Sequence, residues 1–276
     1  MMQASAIRAA VFDIDGTLAM MDKEAGTYTS LPGAVAALDA CRAAGLPAVA
    51  YTNGTFFPPE HYYPLLADAG LVLDPGHILT PGAVAAHVLK QKGFSRVMVL
   101  GAEGTRAPLR AAGIELVEPV AGAGPVDAVM LGWSKDFGAR DLEGICTAVW
   151  EQDVPVFAAS IAPYFASAKG RMLGVSGAVA AMVEYTTGAR ATVLGKPSRA
   201  GLDMIATLTG VPVEEMAVIG DDPKLEIRMA REAGALAIGV TTGFCDADAF
   251  RAMREEIRAD CVVPSLEALL QEEWLR

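Results

Sequence analysis

Val11-Phe12-Asp13-Ile14-Asp15-Gly16-Thr17-Leu18 concentrates charge at the point where an apolar run stops. The run from Ala9 to Phe12 predicts a buried strand. At its end two carboxylates flank a single isoleucine before the chain breaks into Gly16-Thr17. In an open α/β sheet, ligands bind outside the carboxyl ends of the strands, so Asp13 and Asp15 occupy the place where such a fold does its chemistry. Side chains two apart share a face of a strand, but Gly16 implies a sharp turn that lets the two carboxylates diverge. One is then free to attack while the other handles a proton. A bare D-x-D-G at a strand end is about as often turn and cap chemistry as function. The remainder of the chain has to supply its partners.

With 276 residues, 53% of them hydrophobic, the chain can bury one large core or two ordinary ones. Its formal net charge of −11 argues against a nucleic-acid partner, since no dense basic patch is present to neutralise phosphates. Cys41, Cys146, Cys245 and Cys261 lie far apart with no C-x-x-C spacing, which predicts neither a zinc site nor a disulfide framework and fits a reducing cytoplasm. His61, His77 and His87 form no H-E-x-x-H pair, so surface or packing roles are expected of each. No apolar run reaches bilayer-spanning length, and the residues ahead of Asp13 lack a long apolar segment, so neither membrane insertion nor export is expected.

Along the chain, Met20 to Ser30 reads as a polar connection, Ala34 to Ala44 as a helix closed by Gly45, and Pro47 to Tyr51 as a second strand. That strand also ends in small polar groups, Thr52-Asn53-Gly54-Thr55. Leu79-Thr80-Pro81-Gly82 punctuates the chain as a linker. From Ala83 to about Gly188, strands expected at Val97–Gly101, Ile114–Val117, Asp127–Gly132 and Val154–Ala159 alternate with helices, describing a second α/β layer. Ser160 to Met172 reads as an irregular loop, in which Tyr164 could stack on a ring and Lys169 and Arg171 could pair with a second anion. The core is expected to resume near Ala189, with a short strand at Ala191–Leu194 running into Gly195-Lys196-Pro197-Ser198. A Walker loop is excluded there because Pro197 follows the lysine. Met216 to Gly220 is a further apolar strand, and Asp221-Asp222 follow it at once. Asp222 is placed to cap a helix expected over Lys224 to Ala233.

The runs D-x-D-G-T-L, T-N-G-T, G-K-P and G-D-D-P, in that order and each at a predicted strand end, resemble the four signatures of the haloacid dehalogenase-like phosphohydrolases. The α/β insertion between the second and third resembles the large cap of their NagD-like branch. The resemblance implies a Rossmann-like parallel-sheet α/β core, residues 1–82 and 189–276, with an α/β cap over residues 83–188. It implies Asp13 as nucleophile and Asp15 as general acid and then base. Thr52, with Asn53 beside it, would bind the transferring phosphoryl oxygens, and Lys196 would hold Asp13 and the phosphoryl group. Mg²⁺ would be held by Asp13, the main-chain carbonyl of Asp15, and Asp221. Related sequences usually carry Asp at position 226; here Glu226, with Asp222, is expected behind the metal, holding a metal-bound water from a longer side chain. Ile161, Ala162 and Pro163 replace polar groups common in related cap loops, so substrate preference is not carried over.

The chemistry is coherent. An aspartyl-phosphate divides hydrolysis into two easier steps, a second carboxyl serves the leaving group and then water, and a divalent cation offsets carboxylates that would repel an anionic phosphate. The expected activity is Mg²⁺-dependent hydrolysis of a small phosphorylated metabolite in the cytoplasm, with no nucleic-acid or membrane partner and with a homodimer through the cap left open. A phosphotransferase or mutase would use the same residues while keeping water from the aspartyl-phosphate. A non-catalytic phosphometabolite-binding protein would keep the fold without turnover.

Overall fold

The computed structural model describes residues 7–22, 24–167 and 170–271. These fall into two compact units, Met1–Thr52 with Glu60–Leu79 and Lys196–Arg276, and Asn53–Pro59 with Thr80–Gly195. The chain opens with β1 (Ala9–Phe12), a hairpin of β2 (Ala19–Asp22) and β3 (Thr27–Ser30), α1 (Ala34–Ala43), β4 (Ala48–Tyr51), α2 (Pro59–Asp68) and β5 (Ile78–Leu79). Then come α3 (Pro81–Gln91), β6 (Arg96–Leu100), α4 (Glu103–Ala111), β7 (Glu115–Val117), β8 (Ala128–Leu131), α5 (Ala139–Gln152) and β9 (Val156–Ala158). A second hairpin of β10 (Tyr164–Ser167) and β11 (Gly170–Leu173) leads into α6 (Val175–Thr187) and β12 (Thr192–Val193). The last stretch carries α7 (Ala200–Thr209), β13 (Met216–Gly220), one wide helical turn over Pro223–Ile227, α8 (Arg228–Ala233), β14 (Leu236–Val240), α9 (Ala247–Arg251), β15 (Cys261–Val263) and α10 (Leu266–Leu269).

The first unit is built on a parallel sheet of order β15-β14-β13-β1-β4-β5. β1 lies between β13 and β4, with Phe12 in register with both Ile219 and Ala50. Its four residues, Ala-Ala-Val-Phe, are all buried, as expected of a parallel strand covered on both faces, which reads as a continuous apolar run rather than an alternating one. Phe12, Ile14, Leu18, Leu38, Leu66, Ile219 and Leu266 pack into one core, each such side chain contributing about 1.5–3 kcal/mol by leaving water.

The second unit has its own parallel sheet, β12-β9-β8-β6-β7, and its own core of Leu100, Val129, Leu131, Ile145, Val156 and Val179. The architecture is therefore α/β with parallel sheets, the class expected from the alternation of short strands and helices. The strand read as the return to the first sheet, β12, pairs with β9 instead, and the division between units falls between Gly195 and Lys196.

Three local readings change. Met20 to Ser30 is not a plain connection but the β2–β3 hairpin, with Met21 opposite Tyr28. Asp22 closes it by accepting from the amides of Glu24 and Ala25 at 2.9 and 3.1 Å, an Asx turn that the polar run disguises. Ser160 to Met172 contains the β10–β11 hairpin, with Phe165 opposite Met172; strand-forming residues follow Pro163 closely enough to pair. The stretch read as a linker starts α3, because the Thr80 hydroxyl accepts from the Ala83 amide at 3.3 Å and Pro81 occupies the first helical position. No helix among the described residues is long and apolar enough to cross a membrane.

Candidate active site

Three neighbouring strands of the first sheet end side by side. β1 runs out into Asp13, β4 into Thr52 and β13 into Asp221. The sheet order reverses direction at β1, with β4 on one flank and β13 on the other, and such a switch point opens a crevice at the carboxyl ends of the strands. The sheet continues one residue past β1 and β4: the Asp13 amide donates to the Ile219 carbonyl at 2.9 Å and the Thr52 amide to the Leu79 carbonyl at 3.1 Å. The backbone of both residues is thereby fixed. Asp13, Thr52 and Asp221 are all buried.

Beyond Asp13 the chain turns tightly, with the Ile14 carbonyl accepting from the amides of Leu18 and Ala19 at 3.0 and 2.9 Å. Gly16 adopts φ 96°, and a Cβ there would lie 2.5 Å from Asp221 Oδ2, so only glycine lets this turn press against the Asp221 carboxylate. The loop after β14 closes the same corner: the Thr242 hydroxyl donates to the Gly16 carbonyl at 2.7 Å and the Phe244 amide to Asp221 Oδ2 at 3.1 Å.

Lys196, 3% exposed, reaches this cluster from the start of the segment that follows β12. Its ammonium donates to Asp13 Oδ1 and, at 2.9 Å, to the carbonyl of Tyr51; it also pairs with Glu226 Oε1 at 2.5 Å. An ammonium has three donors, and these three acceptors match them. Burial disfavours its charge, but Asp13 and Glu226 outweigh that and hold its pKa well above the ordinary lysine value.

The carboxylates are raised as well, but for them burial outweighs the pull of the ammonium. Burial pushes Asp13 up to about 6; Lys196 opposes the shift while the charges of Asp221 and Asp15 reinforce it. Asp221 is raised to about 6 by burial and by Glu226, against the pull of the Phe244 amide. Glu226 goes to about 7, again by burial, with Lys196 opposing and Asp13 adding. The cluster thus carries more negative charge than its one ammonium can balance.

A hard divalent cation fits that imbalance. Among the described residues no group of three or more His, Cys, Asp or Glu side chains is arranged to hold a metal. The available set is smaller, the neighbouring carboxylates of Asp13 and Asp221 together with main-chain oxygen, and it is the all-oxygen set that Mg²⁺ takes while keeping waters of its own.

Asp15 sits inside the turn after Asp13, bridged to Ala19, and its charge reaches two buried tyrosines, Tyr28 of β3 and Tyr62 of α2. Burial is the main cause that lifts both phenols above the usual tyrosine range, and Asp15 adds to it. Asn53 belongs to the second unit, where its Oδ1 lies against Gly195. Asp222 caps the turn that follows, accepting from the Lys224 amide at 2.7 Å. In the second unit Tyr164 opens β10 and is 45% exposed, Arg171 lies on β11, and Lys169 falls outside the described residues. The sequence reading missed the Tyr51 carbonyl, the Phe244 amide and the two tyrosines. The carbonyl and the amide are backbone groups that leave no residue-type signal, and Tyr28 lies in the hairpin read as a connection.

The family model described as haloacid dehalogenase-like hydrolase matches residues 10–115, and one described as HAD-hydrolase-like matches residues 193–269. Human chronophin is 28% identical over 244 residues, which span 84% of this chain and 80% of that protein. The crystal structure of 4-nitrophenylphosphatase from Thermotoga maritima superposes with a TM-score of 0.83 at 25% identity, covering 96% of this chain and 97% of that one. NagD from E. coli K-12 gives a TM-score of 0.81 at 22% identity, with 95% and 98% covered. Asp13 and Thr52 lie inside the first family match and Lys196 and Asp221 inside the second; the chain belongs to the haloacid dehalogenase-like hydrolases and has the fold of their NagD-like branch.

Proposed function

We propose that this protein is a Mg²⁺-dependent phosphatase that hydrolyses a small phosphate monoester through an aspartyl-phosphate on Asp13. The observation that carries this reading is the buried Asp13–Lys196 pair at the end of β1, with Thr52 and Asp221 at the ends of the strands on either side. The names of the relatives, chronophin and 4-nitrophenylphosphatase among them, support the same class.

In this reading Asp13 attacks phosphorus, a P–O bond forms to its carboxylate, and the bond to the leaving alkoxide breaks as Asp15 gives that oxygen a proton. Asp15 then takes a proton from water, which attacks the phosphoryl group and releases inorganic phosphate and free Asp13. Lys196 keeps the Asp13 carboxylate ionised and oriented, and Thr52, with Asn53 following it, contacts the phosphoryl oxygens. Mg²⁺, held by Asp13, Asp221 and the Asp15 carbonyl, would offset the charge of the incoming phosphate. The first unit is the catalytic core. The second is the cap, whose Tyr164, Lys169 and Arg171 contact the rest of the substrate and whose surface carries any homodimer contact. A cytoplasmic location fits four cysteines of which no two are joined.

A panel of phosphate esters, with 4-nitrophenyl phosphate included, tests the class. Inorganic phosphate appears only with Mg²⁺ present, and EDTA abolishes it. Transfer to an acceptor without phosphate release identifies a transferase, and tight binding without turnover removes the enzyme reading.

Asp15→Asn is expected to slow turnover of an alkyl phosphate by roughly 10²–10⁴, the range for acid–base assistance. The loss with 4-nitrophenyl phosphate is smaller, because that leaving group departs without a proton. Equal losses on both esters would remove the acid role from Asp15.

A further inference from the structure

Glu226 is 3% exposed and lies on the wide turn of Pro223–Ile227, where the amides of Leu225 and Ile227 both reach back to the Asp222 carbonyl at 3.3 and 3.5 Å. Such widened turns are frequent at functional sites. This one folds residue 226 back across the end of β13. A Cβ at Gly220 would sit 2.5 Å from Glu226 Cγ, so the strand has to end without a side chain for the glutamate to lie there.

Both carboxylate oxygens are engaged by the protein. Oε1 lies 2.5 Å from the Lys196 ammonium and Oε2 accepts the Asp222 amide at 3.1 Å. A metal-bound water, the role expected for this position from sequence, is not needed to explain either contact. We infer that Glu226 is a positioning residue for Lys196: it anchors the ammonium on the amide next to Asp221 and so fixes the lysine against Asp13. The inference rests on Asp13 and Lys196 being the catalytic pair. Aspartate at 226 is one methylene shorter, roughly 1.5 Å, and cannot hold both contacts from the same turn. The glutamate and the wide turn are one arrangement.

The test uses Glu226→Gln and Glu226→Asp in the full chain, both checked for fold by circular dichroism. Calorimetry measures Mg²⁺ binding and then orthovanadate binding to the Mg²⁺-loaded protein. Steady-state kinetics on 4-nitrophenyl phosphate gives kcat and KM. Glu226→Gln is expected to leave Mg²⁺ affinity within about two-fold and to weaken vanadate. It should lower kcat by roughly 10–100-fold, with KM little changed, as when a supporting partner of a reacting group is lost. Glu226→Asp, which keeps the charge, does not restore kcat, and it carries the test alone should Glu226→Gln lose its fold. A ten-fold or greater loss of Mg²⁺ affinity with vanadate binding unchanged puts Glu226 on the metal and overturns the inference. Wild-type kcat in either variant overturns it too. If the wild type releases no phosphate from any ester, the phosphatase reading fails, while the two binding measurements still decide whether Glu226 serves Lys196 or the cation.

Discussion

Asp13→Asn is expected to abolish phosphate release, by more than about four orders of magnitude, the scale on which loss of a nucleophile reads, while the protein remains folded. The first half follows from chemistry, since an amide oxygen does not attack phosphorus to give a stable ester and the aspartyl-phosphate cannot form. The second follows from the site's electrostatics. Burial and the charges of Asp221 and Asp15 already disfavour the Asp13 carboxylate, so removing its charge relieves repulsion as well as losing the ion pair with Lys196. Glu226 and the Tyr51 carbonyl still receive the ammonium. A thermal melt within a few degrees of wild type, beside the absence of phosphate release and of an acid-stable phosphoprotein, is the outcome that fits. Activity within ten-fold of wild type would remove Asp13 from the reaction. A variant that fails to fold would say instead that Asp13 is needed to neutralise Lys196.

The strand-end pattern made much of this legible. Each of Asp13, Thr52, Lys196 and Asp221 follows an apolar run that becomes a strand or stops just after one, and the parallel sheet gathers three of those ends side by side without further information. What was not legible depended on the third dimension or on backbone groups. Glu226 reads in sequence as a lengthened aspartate aimed at a metal; its pairing with Lys196 joins residues thirty apart in sequence and depends on a turn wider than an ordinary helix would give. The β2–β3 hairpin hid behind Asp22-Lys23-Glu24, whose charges mark a loop although the flanking Ala-Met-Met and Thr-Tyr-Thr pair as strands. β12 followed a helix and preceded a signature, so its place in the chain suggested the first sheet, whereas its hydrogen-bond partner is β9. Strand existence is a local property, and strand partnership is not.

Lys196→Met is expected to have the largest effect on stability, and its size should depend on pH. The methionine fills a similar volume but leaves Asp13 and Glu226 buried without their counter-ion, and breaking a buried pair by removing one partner costs roughly 3–5 kcal/mol. The sign of the pH dependence follows from the carboxylates. Asp13 and Asp221, ordinarily near 3.8, are raised to about 6, and Glu226, ordinarily 4.5, to about 7. Between those limits the folded protein binds more protons than the unfolded chain, so stability is highest at the acid end and falls as pH rises through the window. Lys196 is raised from 10.5, stays protonated in both states across that range and contributes no slope. Wild-type protein stripped with EDTA should therefore melt at a lower temperature at pH 8 than at pH 5, and Mg²⁺, by favouring ionised Asp13 and Asp221, should flatten the difference. In Lys196→Met the carboxylates move further up, so the destabilisation is small at pH 5, where they are protonated, and largest at pH 8, where ionising them costs most. Melts of both proteins from pH 5 to 8, with and without Mg²⁺, measure this directly. A variant as stable as wild type at pH 8 would mean that the ammonium does not carry the burial of these carboxylates, and the pairing of Lys196 with Asp13 would lose its place at the centre of the site.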